Sequence, residues 1–285
     1  MHAQREGPIL RQAKEEIERD FREGIRPIIH RSPDEIAATK RRLDYQEGLP
    51  HIAVTGVSGA GKSSLINVLR QLLGGGSDLQ KARTGVVETT SVTARYKDDE
   101  AQVPIVWYDI PGAGTLNKPD WIYFDEHGLY IFDAIIILID NRFLQSDVAI
   151  LKNCAAYNIP TFIVRSKSTL HIRNIVSDLR ADSEDTDEEL EGLDEEREAP
   201  LVERARTEYI EQTKGSVQRN LQKAGLQEQM VYLIDRSNLT QIARSNRLRS
   251  ILNGLQVDDE VELKNKLLIH ELELISDLFN AVLQR

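Results

Sequence analysis

Cysteine is almost absent: the 285-residue chain has one, Cys154. No intramolecular disulfide can form, which excludes a small crosslinked scaffold and fits a reducing, cytoplasmic setting. Flanked by Ala155 and Ala156, Cys154 reads as an inert thiol packed in a helix. Long hydrophobic runs are missing too. The longest, Ala134 to Ile139, falls well short of the ~18 apolar residues of a membrane span and reads as a buried strand. Met1-His2-Ala3-Gln4 carries no secretory signal and lacks the glycine at position 2 that myristoylation needs. Positive charge is in deficit, with 36 Lys and Arg against 46 Asp and Glu, a formal net charge of −10 and a pI near 5.2. A nucleic-acid partner requires a basic footprint, so this balance argues against one. His2, His30, His51, His127, His171 and His270 are scattered without the spacing of zinc ligands.

What is present is a globular chain, 40% hydrophobic, long enough for one large domain with helical flanks. Residues 1–49 read as helical. Leu10, Ala13, Ile17 and Phe21 form one apolar stripe, and Ser32-Pro33-Asp34-Glu35 predicts a second helix with a capping box. From 50 to 238 short apolar runs alternate with amphipathic stretches: Ile52 to Thr55, Ser91 to Tyr96, Pro104 to Asp109, Ala134 to Asp140, Thr161 to Val164 and Val231 to Ile234. That alternation predicts an α/β domain with a mostly parallel, buried sheet, Ser91 to Tyr96 being an edge strand. Residues 182–198 carry eleven carboxylates and one arginine and read as a solvated insertion. Residues 200–225 read as a helix. Residues 239–285 read as a helical segment, with Leu263, Leu267, Leu268, Leu272, Ile275 and Leu278 on a face that packs on the domain.

Chemistry concentrates after the first strand. Gly56-Val57-Ser58-Gly59-Ala60-Gly61-Lys62-Ser63 fits G-x-x-x-x-G-K-[ST], lying between a predicted strand and a predicted helix from Ser63 to Leu73. Its glycines let backbone N–H groups turn inward around phosphate oxygens, and the helix N-terminus adds unpaired donors. Ser58, Gly59, Ala60, Gly61, Lys62, Ser63 and Ser64 are therefore expected to bind nucleotide. Lys62 bridges the terminal phosphates and the Ser63 hydroxyl ligates Mg²⁺. Asp109, ending the strand before Ile110-Pro111-Gly112, suits a carboxylate that holds Mg²⁺ through water, and Gly112 offers its N–H to a γ-phosphate. Between them, Thr89 and Thr90 both suit a switch threonine that meets Mg²⁺, with Thr90 favoured. No glutamine follows Gly112; Ala113 stands there, so no side chain orients the attacking water.

A guanine pocket usually takes N/T-K-x-D after the fifth strand. Here Arg165-Ser166-Lys167-Ser168-Thr169 supplies Lys167 to cover the base but Thr169 where the carboxylate belongs, and a hydroxyl cannot accept both guanine donors. Ser237 and Asn238, after the last strand, read either as a further wall of the base pocket or as a helix N-cap. Trp121-Ile122-Tyr123-Phe124 reads either as core packing of the helix after the second switch or as a switch-dependent partner surface.

These motifs, with Thr84-Gly85-Val86-Val87-Glu88-Thr89-Thr90 and Asp109-Ile110-Pro111-Gly112-Ala113-Gly114-Thr115, resemble the immunity-related (interferon-inducible) GTPase family, in a divergent form of fungal or invertebrate type. The resemblance implies a Ras-like P-loop GTPase domain flanked by helices from both chain ends. It implies Mg²⁺-dependent binding of GTP and GDP, and slow hydrolysis stimulated when two GTPase domains meet in a homodimer. Glu88 would contribute to that contact near the ribose. The family also implies peripheral association with intracellular membranes. Two alternatives stay open: an interaction protein regulated by nucleotide with little hydrolysis, and an NTPase of relaxed base preference.

Overall fold

Ser32 sets the start of α1 (Pro33–Arg42) in the computed structural model, which describes residues 31–74, 82, 92–98, 101, 103–112, 120–139, 143–182, 195–244 and 268–283. The Ser32 hydroxyl accepts from the Glu35 N–H at 3.2 Å, and the Glu35 carboxylate accepts from the Ser32 N–H at 2.9 Å. This is the reciprocal cap that the sequence predicts. The apolar stripe from Leu10 to Phe21 lies outside the described residues.

Each predicted apolar run overlaps a strand: β1 (His51–Gly56), β2 (Ala94–Lys97), β3 (Val106–Asp109), β4 (Ala134–Ile139), β5 (Thr161–Arg165) and β6 (Val231–Leu233). They form one sheet in the order β2-β3-β1-β4-β5-β6. β1 pairs in parallel with β3 and β4, β4 with β5, and β5 with β6. β2 runs antiparallel to β3 at the edge, which is why its side chains are only half-buried while β1, β3 and β4 are buried throughout.

The remaining helices are α2 (Lys62–Leu72), α3 (Asp120–Glu126), α4 (Gln145–Ala156), α5 (Ser168–Asp182), α6 (Glu195–Lys223), α7 (Arg236–Arg244) and α8 (Glu271–Leu283). They cover both faces of the sheet. Val54, Ile136, Leu138 and Val164 pack against Leu69 of α2, Ile242 of α7 and Leu278 of α8. Ala53, Ile135, Ile137 and Ile163 pack on the other face against Phe124, Leu151, Ile172 and Tyr209. Successive strand residues point to opposite faces, so strands covered on both sides must be apolar without alternation. Each fully buried Leu or Ile contributes about 1.5–3 kcal/mol through lost apolar exposure.

Cys154 is fully buried in this second layer, and burial raises its thiol pKa, as an inert core cysteine requires. Ile275 and Leu278 are buried and Leu268 and Leu272 half-buried against the sheet, as the C-terminal stripe predicts; Leu263 and Leu267 lie outside the described residues. The acidic run behaves differently from its reading at one end. α6 includes residues 195–198, part of the stretch expected to be loop. Residues 183–194 of the run lie outside the described part. Among the described residues no helix is long and apolar enough to cross a membrane.

Candidate nucleotide-binding site

The loop between β1 and α2 is shaped by what cannot fit there. A Cβ on Gly56 would stand 2.1 Å from the carbonyl oxygen of Leu138 in β4, so no side chain is tolerated where the chain leaves the sheet. Gly59 and Gly61 adopt positive φ, the conformation that turns successive N–H groups to one side. Gly61 precedes α2 without any side-chain cap, so the first-turn N–H groups stay available to an anion. Lys62 is almost fully buried, and its Nζ donates to the carbonyls of Gly56 and Val57, each at 3.1 Å.

The second motif closes on this loop. Ser63 Oγ donates a short hydrogen bond to Asp109 Oδ2, so the two oxygen groups expected at Mg²⁺ lie in contact. A hydroxyl beside a buried carboxylate is a donor set that fits this hard cation. Gly112 lies so close to the phosphate loop that an added Cβ would sit 2.9 Å from the Ser58 backbone nitrogen. Thr89, Thr90, Glu88 and Ala113 lie outside the described residues.

Tyr123 has a role here that neither the packing nor the partner-surface reading of its cluster contains. Tyr123, half-buried on α3, donates its hydroxyl to the Pro111 carbonyl at 2.7 Å and shares a 2.6 Å hydrogen bond with Thr55 Oγ1. It fastens the loop after β3 to the end of β1. Phe124, its neighbour, is buried core as expected; the side chains of Trp121 and Ile122 are outside the described part.

On the opposite flank, the loop after β5 holds the phosphate loop by two side chains. Ser166 Oγ donates to the Ala60 carbonyl at 2.7 Å, and Lys167 Nζ donates to the Gly59 carbonyl at 3.1 Å. Lys167 takes a φ of 64°, uncommon for a side-chain-bearing residue and worth a functional reading. Beside it opens a cavity of about 280 Å³, lined by Ser64, Leu65, Lys167, Leu170, Asp235 and Leu239 among others. Apolar walls with few polar groups are what a planar base requires.

Ser237 and Asn238 do not line this cavity. They sit in the first turn of α7, where Asp235 provides the cap: its Oδ1 accepts from the Ser237 N–H at 2.9 Å and from the Ser237 hydroxyl at 2.6 Å. Asn238 is buried, and its amide donates to Glu271 Oε1 at 2.8 Å. The N-cap expected at Ser237 or Asn238 is instead Asp235, an equally good capping residue that follows Ile234, the last residue of the apolar run. Glu271, buried at the start of α8, also accepts from the Asp235 N–H at 2.9 Å and the Ile269 N–H at 2.8 Å, while burial raises its carboxyl pKa.

Known proteins are similar to this chain. Residues 15–243 match the family model of the interferon-inducible GTPases (IIGP). The chain is similar to interferon-inducible GTPase 1 of Mus musculus, 37% identical over 125 residues, 44% of this chain and 29% of that protein. It is also similar to interferon-inducible GTPase 5 of Rattus norvegicus, 28% identical over 231 residues, 80% of this chain and 43% of that protein. The matches therefore span less than half the length of either relative. Among solved structures, the LeoA bacterial dynamin GTPase from ETEC aligns with a TM-score of 0.43 at 16% identity, covering 96% of this chain and 43% of that one. A probable GTP-binding protein engB aligns with a TM-score of 0.34 at 14% identity, covering 72% and 99%. With the family model spanning the phosphate loop, the motif after β3 and the loops after β5 and β6, the chain belongs to the interferon-inducible GTPase family.

Proposed function

We propose that this chain binds guanine nucleotide with Mg²⁺ and hydrolyses GTP to GDP and phosphate. The observation that carries the reading is the convergence of Lys62, the Ser63–Asp109 contact and Gly112 on one loop. The uncapped first turn of α2 and the Lys62 ammonium supply fixed positive charge where phosphate oxygens gain negative charge during transfer. Ser63 and Asp109 would hold Mg²⁺, joined by Thr90, and the ion would neutralise charge between the β- and γ-phosphates. The N–H of Gly112 is suited to a γ-phosphate oxygen. In hydrolysis, water attacks the γ-phosphorus in line, and the bond to the β–γ bridging oxygen breaks.

With Ala113 in place of a water-orienting glutamine, turnover by a lone molecule is expected to be slow. Pairing of two GTPase domains, with Glu88 near the contact, is the family's way of raising it. Cytoplasmic location with peripheral association to intracellular membranes belongs to the same reading and is supported by the family resemblance. A second reading, a nucleotide-regulated interaction protein with little hydrolysis, is favoured by the same missing glutamine.

The decisive measurement is the affinity of the purified chain for GDP, GTP and ATP with Mg²⁺, beside Lys62→Ala. Guanine preference that weakens at least tenfold in the variant, about 1.4 kcal/mol, supports the reading. Binding of no nucleotide sinks it. ATP binding equal to GTP would move the chain to a base-tolerant NTPase.

A further inference from the structure

The base-side cavity has one acidic group among its lining residues, and it comes from a different strand than the motif leads one to expect. Position 169 carries threonine, and Thr169 is not part of the lining. Its backbone N–H, however, donates to Asp235 Oδ2 at 3.3 Å. A carboxylate two residues past β6 thus lies against the backbone of the residue whose own side chain lacks one. We propose that Asp235 is the specificity-determining residue of the pocket, accepting hydrogen bonds from the N1–H and 2-amino groups of guanine. This inference rests on the nucleotide-binding reading above.

Three features support it. First, the carboxylate is held. Its backbone N–H is tied to the buried Glu271, and Oδ1 is occupied by Ser237. A carboxylate offers about four acceptor sites; Ser237 takes two on Oδ1 and Thr169 one on Oδ2, so one guanine donor meets a free site on Oδ2 and the second takes the place of the long 3.3 Å bond from the Thr169 N–H. Second, the rest of the cavity suits the ring. Leu65, Leu170 and Leu239 are apolar, and Lys167 joins them in the lining. Third, the chemistry discriminates. Guanine offers two adjacent N–H donors on the edge that meets a carboxylate. Adenine offers an unprotonated N1, which a carboxylate repels. The other charged groups of the lining, Lys167 and Arg236, are donors and cannot read those guanine hydrogens.

The competing role for Asp235 is a helix cap and nothing more. Asp235→Asn separates the two, because asparagine caps as well as aspartate but replaces an acceptor with a donor. That exchange matches xanthine, whose C2 carries an oxygen where guanine carries an amino group. Affinities of GDP and XDP are compared for both proteins, with circular dichroism to verify folding. The expected result is a loss of about tenfold or more in GDP affinity and a gain of about tenfold or more for XDP, the scale of a hydrogen bond to a charged group. If wild type binds GDP and the variant leaves the GDP-to-XDP ratio unchanged, the inference is overturned and the GTPase reading survives. If wild type binds no nucleotide, that reading falls and the inference with it. Should the variant fail to fold, wild type decides alone: IDP, which lacks the 2-amino group, should bind about tenfold more weakly than GDP, and equal affinity would overturn the assignment.

Discussion

Tyr123 shows how much of the site hangs on single atoms. Its hydroxyl spans Thr55, 68 residues away in the chain, and Pro111, 12 residues away. Tyr123→Phe keeps the ring in place and deletes that bridge. Urea unfolding should show a loss of about 1–2 kcal/mol, because a half-buried hydroxyl and carbonyl lose their partner. Gly112→Ala tests the neighbouring contact. Its methyl would meet a backbone atom of Ser58, which cannot swing aside as a side chain would. GTP affinity should therefore fall relative to GDP affinity, read as the ratio of the two in one titration series. The residues of the phosphate loop were legible because their spacing is local and chemically constrained. Tyr123 and Asp235 were not. Their roles come from partners brought together by the sheet, Thr169 being 66 residues from Asp235, and no local pattern encodes such a meeting.

Among the elements, the strands were the most legible, since burial on two faces leaves an unbroken apolar run. Helices were less so. Residues 195–198 look like loop by composition, yet they belong to α6. α8 carries a testable pH dependence. His270 precedes it, and its Nδ1 accepts from the Leu233 N–H at 3.1 Å. Burial, aided by the nearby positive charges of Lys214 and Arg206, lowers its pKa from 6.5 to about 4. The neutral ring is thus the folded form. Its contribution is present above pH 6.5 and is lost as pH falls toward 4, where the unfolded chain binds the extra proton. Glu271, with its raised carboxyl pKa, works in the opposite direction over acid pH, so a substitution is needed to isolate the histidine. The melting temperature of His270→Asn should fall less steeply than that of wild type across this range. Parallel curves would place the dependence elsewhere.

For the whole molecule, the strand order decides where chemistry can happen. β1 has β3 on one side and β4 on the other, and the chain passes from β3 across β1 to β4, so the ends of the central strands open a crevice at the point of reversal. Gly56 and Asp109 both reach it. This fold class follows from the alternation of apolar runs and helices alone. Assembly does not, since nothing in the periodicity distinguishes a solitary domain from a paired one. If pairing supplies what Ala113 lacks, GTP turnover per molecule should rise with protein concentration and flatten at high dilution to a near-zero floor. A rate independent of concentration would instead assign the activity to the monomer. Release kinetics follow from a quieter feature. Ser166 and Lys167 grip the carbonyls of Ala60 and Gly59, so the clasp around the phosphates and the clasp around the base form one mechanical unit. A nucleotide leaving such a site must wait for both to loosen at once, and Ser166→Ala should shorten its residence time more than it slows its arrival.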